Sequence, residues 1–200
     1  MTRRLVQLFV GLWLYGATMA MLVRSGLGLD PWDVFHEGLA LHVPLTFGQV
    51  VIAVGAAVLL LWIPLRQRPG FGTIANVIVI GLAADATLDV LPDAGHLAVA
   101  VLLLVGGIVG NGVAGAMYVG AGLGPGPRDG LWTGIVARTG ASVRLVRTAL
   151  EVTVVVAGFA LGGTVGLGTV LYALMIGPIV QFSLPWFEVR PRATAESVAR

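Results

Sequence analysis

The chain contains no cysteine and no lysine, and charged residues occupy only 11% of its 200 positions. The absence of cysteine excludes disulfides, thiol catalysis and cysteine-based metal sites. In a soluble domain roughly a quarter of the residues are charged. This chain falls well below that fraction, and it is 57% hydrophobic with a mean hydropathy of +0.94. An exterior of this composition faces lipid, so the sequence predicts an integral membrane protein.

Motifs for catalysis and for nucleotide hydrolysis are also missing. No G-x-S-x-G motif occurs, and the phosphate-binding G-x-x-x-x-G-K-[ST] loop requires a lysine. His36, Glu37 and His42 are close in sequence, but helical spacing does not bring the two histidines to a third ligand. The net charge of +2 comes without a dense basic cluster, which argues against nucleic acid as a partner. We therefore expect no enzyme activity, no cofactor and no metal.

Six apolar stretches have the length of roughly 20 residues that a transmembrane helix needs. They cover residues 5–23, 47–65, 71–91, 97–119, 143–163 and 167–187. The first resembles a signal peptide, but it is long enough to span and no cleavage pattern follows it. Two shorter apolar pieces, 31–43 and 127–138, are predicted to form re-entrant or interfacial helices. The expected fold is all-α, with six transmembrane helices.

The arginines predict the orientation of these spans, because arginine accumulates on the cytoplasmic side of a membrane protein. With the N-terminus inside, Arg24 is the one arginine placed outside. The cytoplasmic segments then hold Arg3, Arg4, Arg66, Arg68, Arg128, Arg138, Arg144, Arg147, Arg190, Arg192 and Arg200. We therefore expect a multi-pass protein whose two termini are both cytoplasmic.

The sequence repeats itself at an offset of 96 residues, without a gap. Gly11 aligns with Gly107, Gly26-Leu27-Gly28 with Gly122-Leu123-Gly124, and several later glycines align as well. Chance similarity between glycine-rich helices is the alternative, but the alignment extends to proline and aspartate in a polar loop. The predicted units are a first repeat at 1–96, a second at 97–190 and a cytoplasmic tail at 191–200. Three spans in each repeat make the second copy enter the membrane with inverted orientation.

The repeated loop reads GLGLDPWDVFHEG in the first half and GLGPGPRDGLWTG in the second. Its shared positions are Gly26, Gly28, Pro31 and Asp33, aligned with Gly122, Gly124, Pro127 and Asp129. A proline and a carboxylate in the first turn favour the start of a helix, and Asp30 is a suitable N-cap. A purely structural role therefore explains much of the motif. The functional alternative is a substrate path, since paired broken helices in an inverted repeat mark such paths.

These motifs resemble those of a known family. Arg24-x-Gly26-x-Gly28-x-x-PWDV, followed by Gly124-x-GPRDG and the later Gly177-Pro178, is similar to the paired signature of the bacterial YczE/YyaS/YitT integral membrane proteins. The resemblance covers essentially the whole chain and is stronger for YczE-like members, which lack a soluble C-terminal domain. It implies a bacterial inner-membrane protein in which transport is suspected, and it supplies no catalytic residues.

Ionisable residues at membrane depth are costly and are candidates for function. Glu151 lies within the fifth predicted span, four residues after Arg147, where the two can form an ion pair on one helix face. Asp85 lies in the third span and aligns with Gln181 in the repeat, as Tyr15 aligns with Asn111. Two tryptophans at span ends, Trp62 and Trp186, are predicted to be interface anchors.

Two classes of function are compatible with this sequence. The preferred hypothesis is a secondary transporter or permease for a small solute or ion, with the path lined by Arg24, Asp33, Asp85, Arg128, Asp129 and Glu151. The alternative is a non-transporting scaffold or accessory subunit with a filled interior, which docks a partner through Arg144 and Arg147. Besides the lipid bilayer, a second copy of the chain is a compatible partner, and the sequence does not choose between monomer and homodimer.

The predicted orientation can be tested with single-cysteine variants, because the chain has no cysteine of its own. Gly95→Cys, in an outside loop, is expected to react with a membrane-impermeant maleimide added to spheroplasts. Pro69→Cys, in a cytoplasmic loop, is expected to react only after the membrane is opened. Labelling of both variants from outside would contradict the predicted arrangement of spans.

Overall fold

The computed structural model describes residues 1–189, and this part of the chain contains eight α-helices and no strand. They are α1 (Thr2–Ser25), α2 (Pro31–Ala40), α3 (Phe47–Leu65), α4 (Phe71–Leu88), α5 (Leu97–Gly120), α6 (Pro127–Thr139), α7 (Val143–Ala160) and α8 (Leu167–Phe187). The all-helical prediction is confirmed. The predicted tail 191–200 and the arginines at 190, 192 and 200 lie outside the described residues.

Five of these helices, α1, α3, α4, α5 and α8, are long and apolar enough to cross a membrane. The helix α7 has 18 residues but carries Arg144, Arg147 and Glu151. Its composition therefore does not assign it to the membrane, and a crossing by α7 stays a prediction. The helices α2 and α6 have 10 and 13 residues, which is too short to cross the hydrocarbon.

Local sequence explains where the short helices begin. The Asp30 carboxylate accepts hydrogen bonds from the backbone N–H groups of Trp32 and Asp33, at 2.8 and 3.0 Å. Pro31 occupies the first position of α2, as Pro127 does in α6. Proline costs nothing there, because that position has no helical acceptor for an N–H group.

The second half of the chain follows the helix boundaries of the first. The helices α6, α7 and α8 each begin 96 residues after α2, α3 and α4. The leading helices α1 and α5 pack against each other and run antiparallel, since Gly11 meets Met117 while Leu22 meets Gly107. This pair forms the centre of the molecule, with α4 packed on α1 and α8 packed on α5.

The loop that contains Gly26 and Gly28 and the loop that contains Gly122 and Gly124 each contact the opposite half of the molecule. The Gly168 N–H group, at the start of α8, donates a 2.7 Å hydrogen bond to the Leu27 carbonyl of the first loop. In the same way the Gly72 N–H group, at the start of α4, donates a 2.8 Å bond to the Leu123 carbonyl of the second loop. Each loop therefore supplies an acceptor to a helix N-terminus, whose first N–H groups have no partner within the helix.

This crossed packing requires glycine at two positions. Gly28 has a φ of +119° and Gly124 has a φ of +132°, which L-residues rarely adopt. A Cβ at Gly28 would also lie 2.8 Å from Thr169 Oγ1, and one at Gly124 would lie 2.7 Å from Thr73 Oγ1. The repeated Gly-Leu-Gly motif thus has a structural role in both halves.

The helix α6 packs against the C-terminal part of α3. Trp62 is buried against Gly130, and its indole Nε1–H donates a 3.0 Å hydrogen bond to the Pro127 carbonyl. The prediction that Trp62 anchors the protein at the interface is therefore wrong, because α6 covers this end of α3. Trp186, by contrast, lies on the surface near the end of α8. The related contact in the other half places Val34 of α2 against Gly158 of α7.

We expect Gly124→Ala to destabilise the protein, because it combines an unfavourable φ with a close contact to Thr73. The expected loss is roughly 1–3 kcal/mol, the range for a strained backbone residue. It should appear as a lower thermal midpoint of the detergent-solubilised protein. Gly95→Ala is the control, because Gly95 is exposed, lacks a positive φ and has open space around it. Equal midpoints for the two variants would contradict the structural role of the loop.

Candidate functional site

A cavity of about 500 Å³ lies between the two halves of the molecule. Each of the eight described helices contributes to its wall, although much of the wall is apolar. Its charged and polar lining residues are Tyr15, Asp30, His36, Asn76, Asn111, Tyr118, Arg128, Asp129, Arg147, Glu151, Tyr172 and Gln181. The interior of this membrane protein is therefore neither filled nor uniformly apolar.

The wall of the cavity follows the internal repeat. Tyr15 of α1 and Asn111 of α5 are 96 residues apart, and so are Asn76 of α4 and Tyr172 of α8; all four line the cavity. Further lining pairs at this offset are Asp30 and Gly126, Pro31 and Pro127, Trp32 and Arg128, His36 and Trp132, Val51 and Arg147, and Gly55 and Glu151. Aligned positions thus face one common space.

The start of α2 holds a buried cluster of charged groups. Arg128 of α6 reaches across with one guanidinium nitrogen 3.5 Å from Asp30 Oδ1 and the other 3.5 Å from Asp33 Oδ1. Its guanidinium carbon lies 5.2 Å from the ring centre of Trp32. Asp33 is fully buried and forms a 2.9 Å hydrogen bond with His36 Nδ1. Within residues 1–189, Asp30 Oδ2 and Asp33 Oδ2 are buried without a hydrogen-bond partner.

Burial dominates the ionisation of this cluster. It raises the pKa of Asp30, as the Asp33 charge also does, whereas the Arg128 guanidinium lowers that pKa. The pKa of Asp33 is likewise raised by burial and lowered by Arg128. Burial lowers the pKa of His36, and Arg128 lowers it further. These shifts favour the neutral form of His36, so Arg128 is the cation that contacts both carboxyl groups.

Neutral hydrogen bonds connect the central helices at the cavity. The Tyr172 hydroxyl of α8 donates a 2.7 Å bond to Asn111 Oδ1 of α5. The amide nitrogen of Asn111 donates a 3.1 Å bond to the Thr18 hydroxyl of α1. Tyr15 packs edge-on against Tyr118, with ring centres 5.9 Å apart. These contacts fix the aromatic rings that surround the cavity.

Two further carboxylates lie on the wall. Glu151 accepts a 2.9 Å hydrogen bond from Arg147 Nε within α7, which confirms the predicted ion pair. Asp129 accepts a 3.3 Å bond from the Tyr118 hydroxyl, and no basic side chain among residues 1–189 forms a salt bridge with it. Among residues 1–189, Asp129 is thus the cavity carboxylate that forms no salt bridge.

Of the residues predicted to line the path, Arg128, Asp129 and Glu151 are brought together at the cavity and three others lie outside it. Arg24 binds Asp93 at 2.8 Å and the Leu88 carbonyl at 2.5 Å, near the C-terminal end of α4. Asp33 is fully buried and contacts Arg128 and His36. Asp85 accepts hydrogen bonds from the Gly48 N–H group and the Thr46 hydroxyl at the start of α3, at 2.7 and 2.5 Å.

Most of the aromatic wall has no distinguishing signal in the sequence. Trp32, Tyr118, Trp132 and Tyr172 line the cavity, but single aromatics in apolar helices do not distinguish a cavity from packed core. The repeat is the sequence feature that indicates the cavity, because aligned positions that both carry a polar or aromatic group line it. Tyr15 aligned with Asn111 was one such pair.

The fold, the apolar spans and the polar cavity define an all-helical membrane protein. A family of unknown function, DUF6198, matches residues 2–185. The chain therefore belongs to this family, and it is similar to relatives named YczE and YyaS.

The relatives carry no assigned function. An uncharacterized protein of Haemophilus influenzae is 41% identical over 88% of this chain and 81% of its own length. The uncharacterized membrane protein YczE of Bacillus subtilis is 36% identical over 88% of this chain and 83% of its own length. The uncharacterized protein YyaS of the same organism is 24% identical, with 90% and 91% covered. No solved structure matches the chain.

We expect Arg128→Gln to destabilise the protein by roughly 1–3 kcal/mol, because two buried carboxylates would lose their cation. The double variant Arg128→Gln/Asp33→Asn should recover part of this loss, since one buried charge disappears with it. The free energies of unfolding of Arg128→Gln, Asp33→Asn and the double variant in mixed micelles measure this coupling. A double variant whose loss equals or exceeds the sum of the two single losses would contradict the cluster as described.

Proposed function

We propose that this chain is a secondary transporter or channel-like permease for a small solute across the bacterial inner membrane. The observation that carries the proposal is the cavity between the halves, lined at aligned positions of both and containing Arg128, Asp129 and Glu151. Ionisable groups at membrane depth are costly, and in transporters they mark substrate and ion paths. A site between repeats is also where many secondary transporters bind their substrate.

The proposal includes two inverted repeats of three spans each. The antiparallel packing of α1 against α5 supports it, because these aligned helices would then cross the membrane in opposite directions. The charged helix α7 fits as the sixth span, since Arg147 and Glu151 line the cavity and neutralise each other. With the N-terminus inside, the first turn of α7 places Arg144 at the cytoplasmic end.

A transporter that alternates its access must be closed at one end of the cavity and open at the other. In the first half, α3 and α4 pack closely, with Gly48 against Gly81. Asp85 of α4 holds them together by accepting hydrogen bonds from Thr46 and Gly48 of α3. In the proposed topology this contact closes the outer end.

The aligned contact in the second half is missing. The helices α7 and α8 lack a comparable packing surface within the described residues. Gly177, which aligns with Gly81, has open space around it, and Arg144 replaces the aligned Gly48. Gln181, which aligns with Asp85, lines the cavity together with Leu150 of α7. In the proposed topology this arrangement is a cytoplasm-facing state, with the gap between α7 and α8 as the entrance.

These features favour transport over the scaffold alternative. A scaffold has no use for a polar space between its halves, and a filled interior would be the more stable arrangement. Of the two arginines assigned to docking, Arg147 instead lines the cavity and is paired with Glu151. The positively charged surface that a partner protein could bind is therefore smaller.

Flux measurements on purified protein in proteoliposomes test the proposal. The solutes are protons, small anions, amino acids and organic cations, each measured with wild type and Asp129→Asn. We expect saturable flux of at least one solute, reduced about tenfold or more in the variant, because a hydrogen bond to a charged group is worth roughly 1.5–3 kcal/mol.

The matched control is Asp89→Asn, which removes the same charge from an exposed site outside the cavity and should leave flux unchanged. Thermal midpoints close to wild type for both variants establish that they are folded. Absence of flux for every class of solute, from folded wild-type protein, would overturn the proposal and favour the scaffold.

A further inference from the structure

The balance of charges on the cavity wall indicates the kind of solute. Arg128 lies between Asp30 and Asp33, and Arg147 is bound to Glu151. Each guanidinium that reaches the cavity is therefore already compensated by a carboxylate of the chain. Among residues 1–189, an anionic solute would find no free cation at the cavity and would meet the Asp129 carboxylate.

Two acceptors on the same wall are left unused. Asp129 has the Tyr118 hydroxyl as a neutral donor and no salt-bridge partner within the described chain. Asp30 lines the cavity with only 1% of its surface exposed, and its Oδ2 atom is buried without a hydrogen-bond partner among residues 1–189. Because that Oδ2 atom is closed off from the cavity, Asp129 is the carboxylate without a salt bridge to which a ligand with N–H groups can donate.

The remaining wall is aromatic and apolar. Tyr15, Trp32, Tyr118, Trp132 and Tyr172 surround the space, together with valine, leucine and isoleucine side chains of α3, α4, α7 and α8. Aromatic faces attract cations, most strongly where water is excluded. Trp32 already has the Arg128 guanidinium beside its ring, which shows this interaction in the cavity wall itself.

We propose that the cavity binds a small organic cation, a protonated amine or guanidine attached to an apolar body, as the solute of the transport function on which this inference rests. The ammonium or guanidinium group donates to the Asp129 carboxylate, and the apolar body packs against the tyrosine and tryptophan rings. A volume of about 500 Å³ accommodates a molecule of this size.

Isothermal titration calorimetry of the detergent-solubilised protein with three probes of similar shape tests this assignment. The probes are phenethylammonium, which is a cation, phenylacetate, which is an anion, and 2-phenylethanol, which is neutral. We expect saturable binding of phenethylammonium. The affinities of phenylacetate and 2-phenylethanol should be lower by about tenfold or more, because neither has a charged donor for a carboxylate that forms no salt bridge.

Two variants locate the binding site. Asp129→Asn should weaken phenethylammonium binding about tenfold or more through the lost charge, and Trp132→Leu should weaken it through the lost ring. Trp132→Phe, which keeps an aromatic face, should restore most of the affinity. Asp89→Asn is again the control and should bind as wild type does. Thermal midpoints show whether each variant is folded. If Asp129→Asn is not folded, the comparison of Trp132→Leu with Trp132→Phe tests the site.

The results separate this inference from the proposed function. Tighter binding of phenylacetate, absence of saturable phenethylammonium binding, or unchanged affinity in folded Asp129→Asn and Trp132→Leu would overturn the organic cation. Flux of another solute in proteoliposomes would still support a transporter. Binding of phenethylammonium at this site, without flux of any solute, would support the cation site and overturn transport.

Discussion

The structure depends on the satisfaction of backbone hydrogen bonds where the chain breaks inside an apolar environment. Lipid supplies no partner for a free N–H group, so a broken helix in a membrane protein must find acceptors within the protein. Here the Leu27 carbonyl serves the start of α8 and the Leu123 carbonyl serves the start of α4. Because each loop belongs to the opposite half, neither half is complete alone. Glycine at positions 28 and 124 follows from this close approach.

The cavity is a consequence of the same arrangement. The helices α2 and α6 stop short of a full crossing, so the space that a complete span would fill stays open between the central pair α1 and α5 and the outer helices. Their N-termini bring Asp30, Arg128 and Asp129 to that space. Buried charges of this kind are tolerated only when compensated, and the contacts of Arg128 with Asp30 and Asp33 provide much of the compensation. Asp129 is the exception that gives the wall its negative excess.

Much of the fold could be predicted from the sequence, because apolar runs of the length of a bilayer have few other interpretations. The boundaries at 47, 71, 97, 143 and 167 follow from caps and loops that are visible in the sequence. The site was harder to predict from the sequence, because the packing of the two halves determines which polar residues come into contact. Trp62 illustrates the limit: a tryptophan at a span end is typical of an interface anchor, and only the packing of α6 places it in the interior. Asp85 similarly serves a helix start and not the cavity.

Most positions that are identical in both halves build the fold, whereas Asp129, which aligns with Asp33, is an identical position that lines the cavity. Positions identical in both halves, such as Gly28 and Gly124 or Pro31 and Pro127, form the crossed loops and the helix starts. Cavity positions that differ between the halves, such as Trp32 aligned with Arg128 and Gly55 aligned with Glu151, give the wall its charge and its rings. A symmetric wall would present each charged group twice in opposite orientations and would have no preferred pose for a polar solute. Divergence at these positions therefore gives the wall one arrangement of charges and rings, while the identical positions build the same loops and helix starts in both halves.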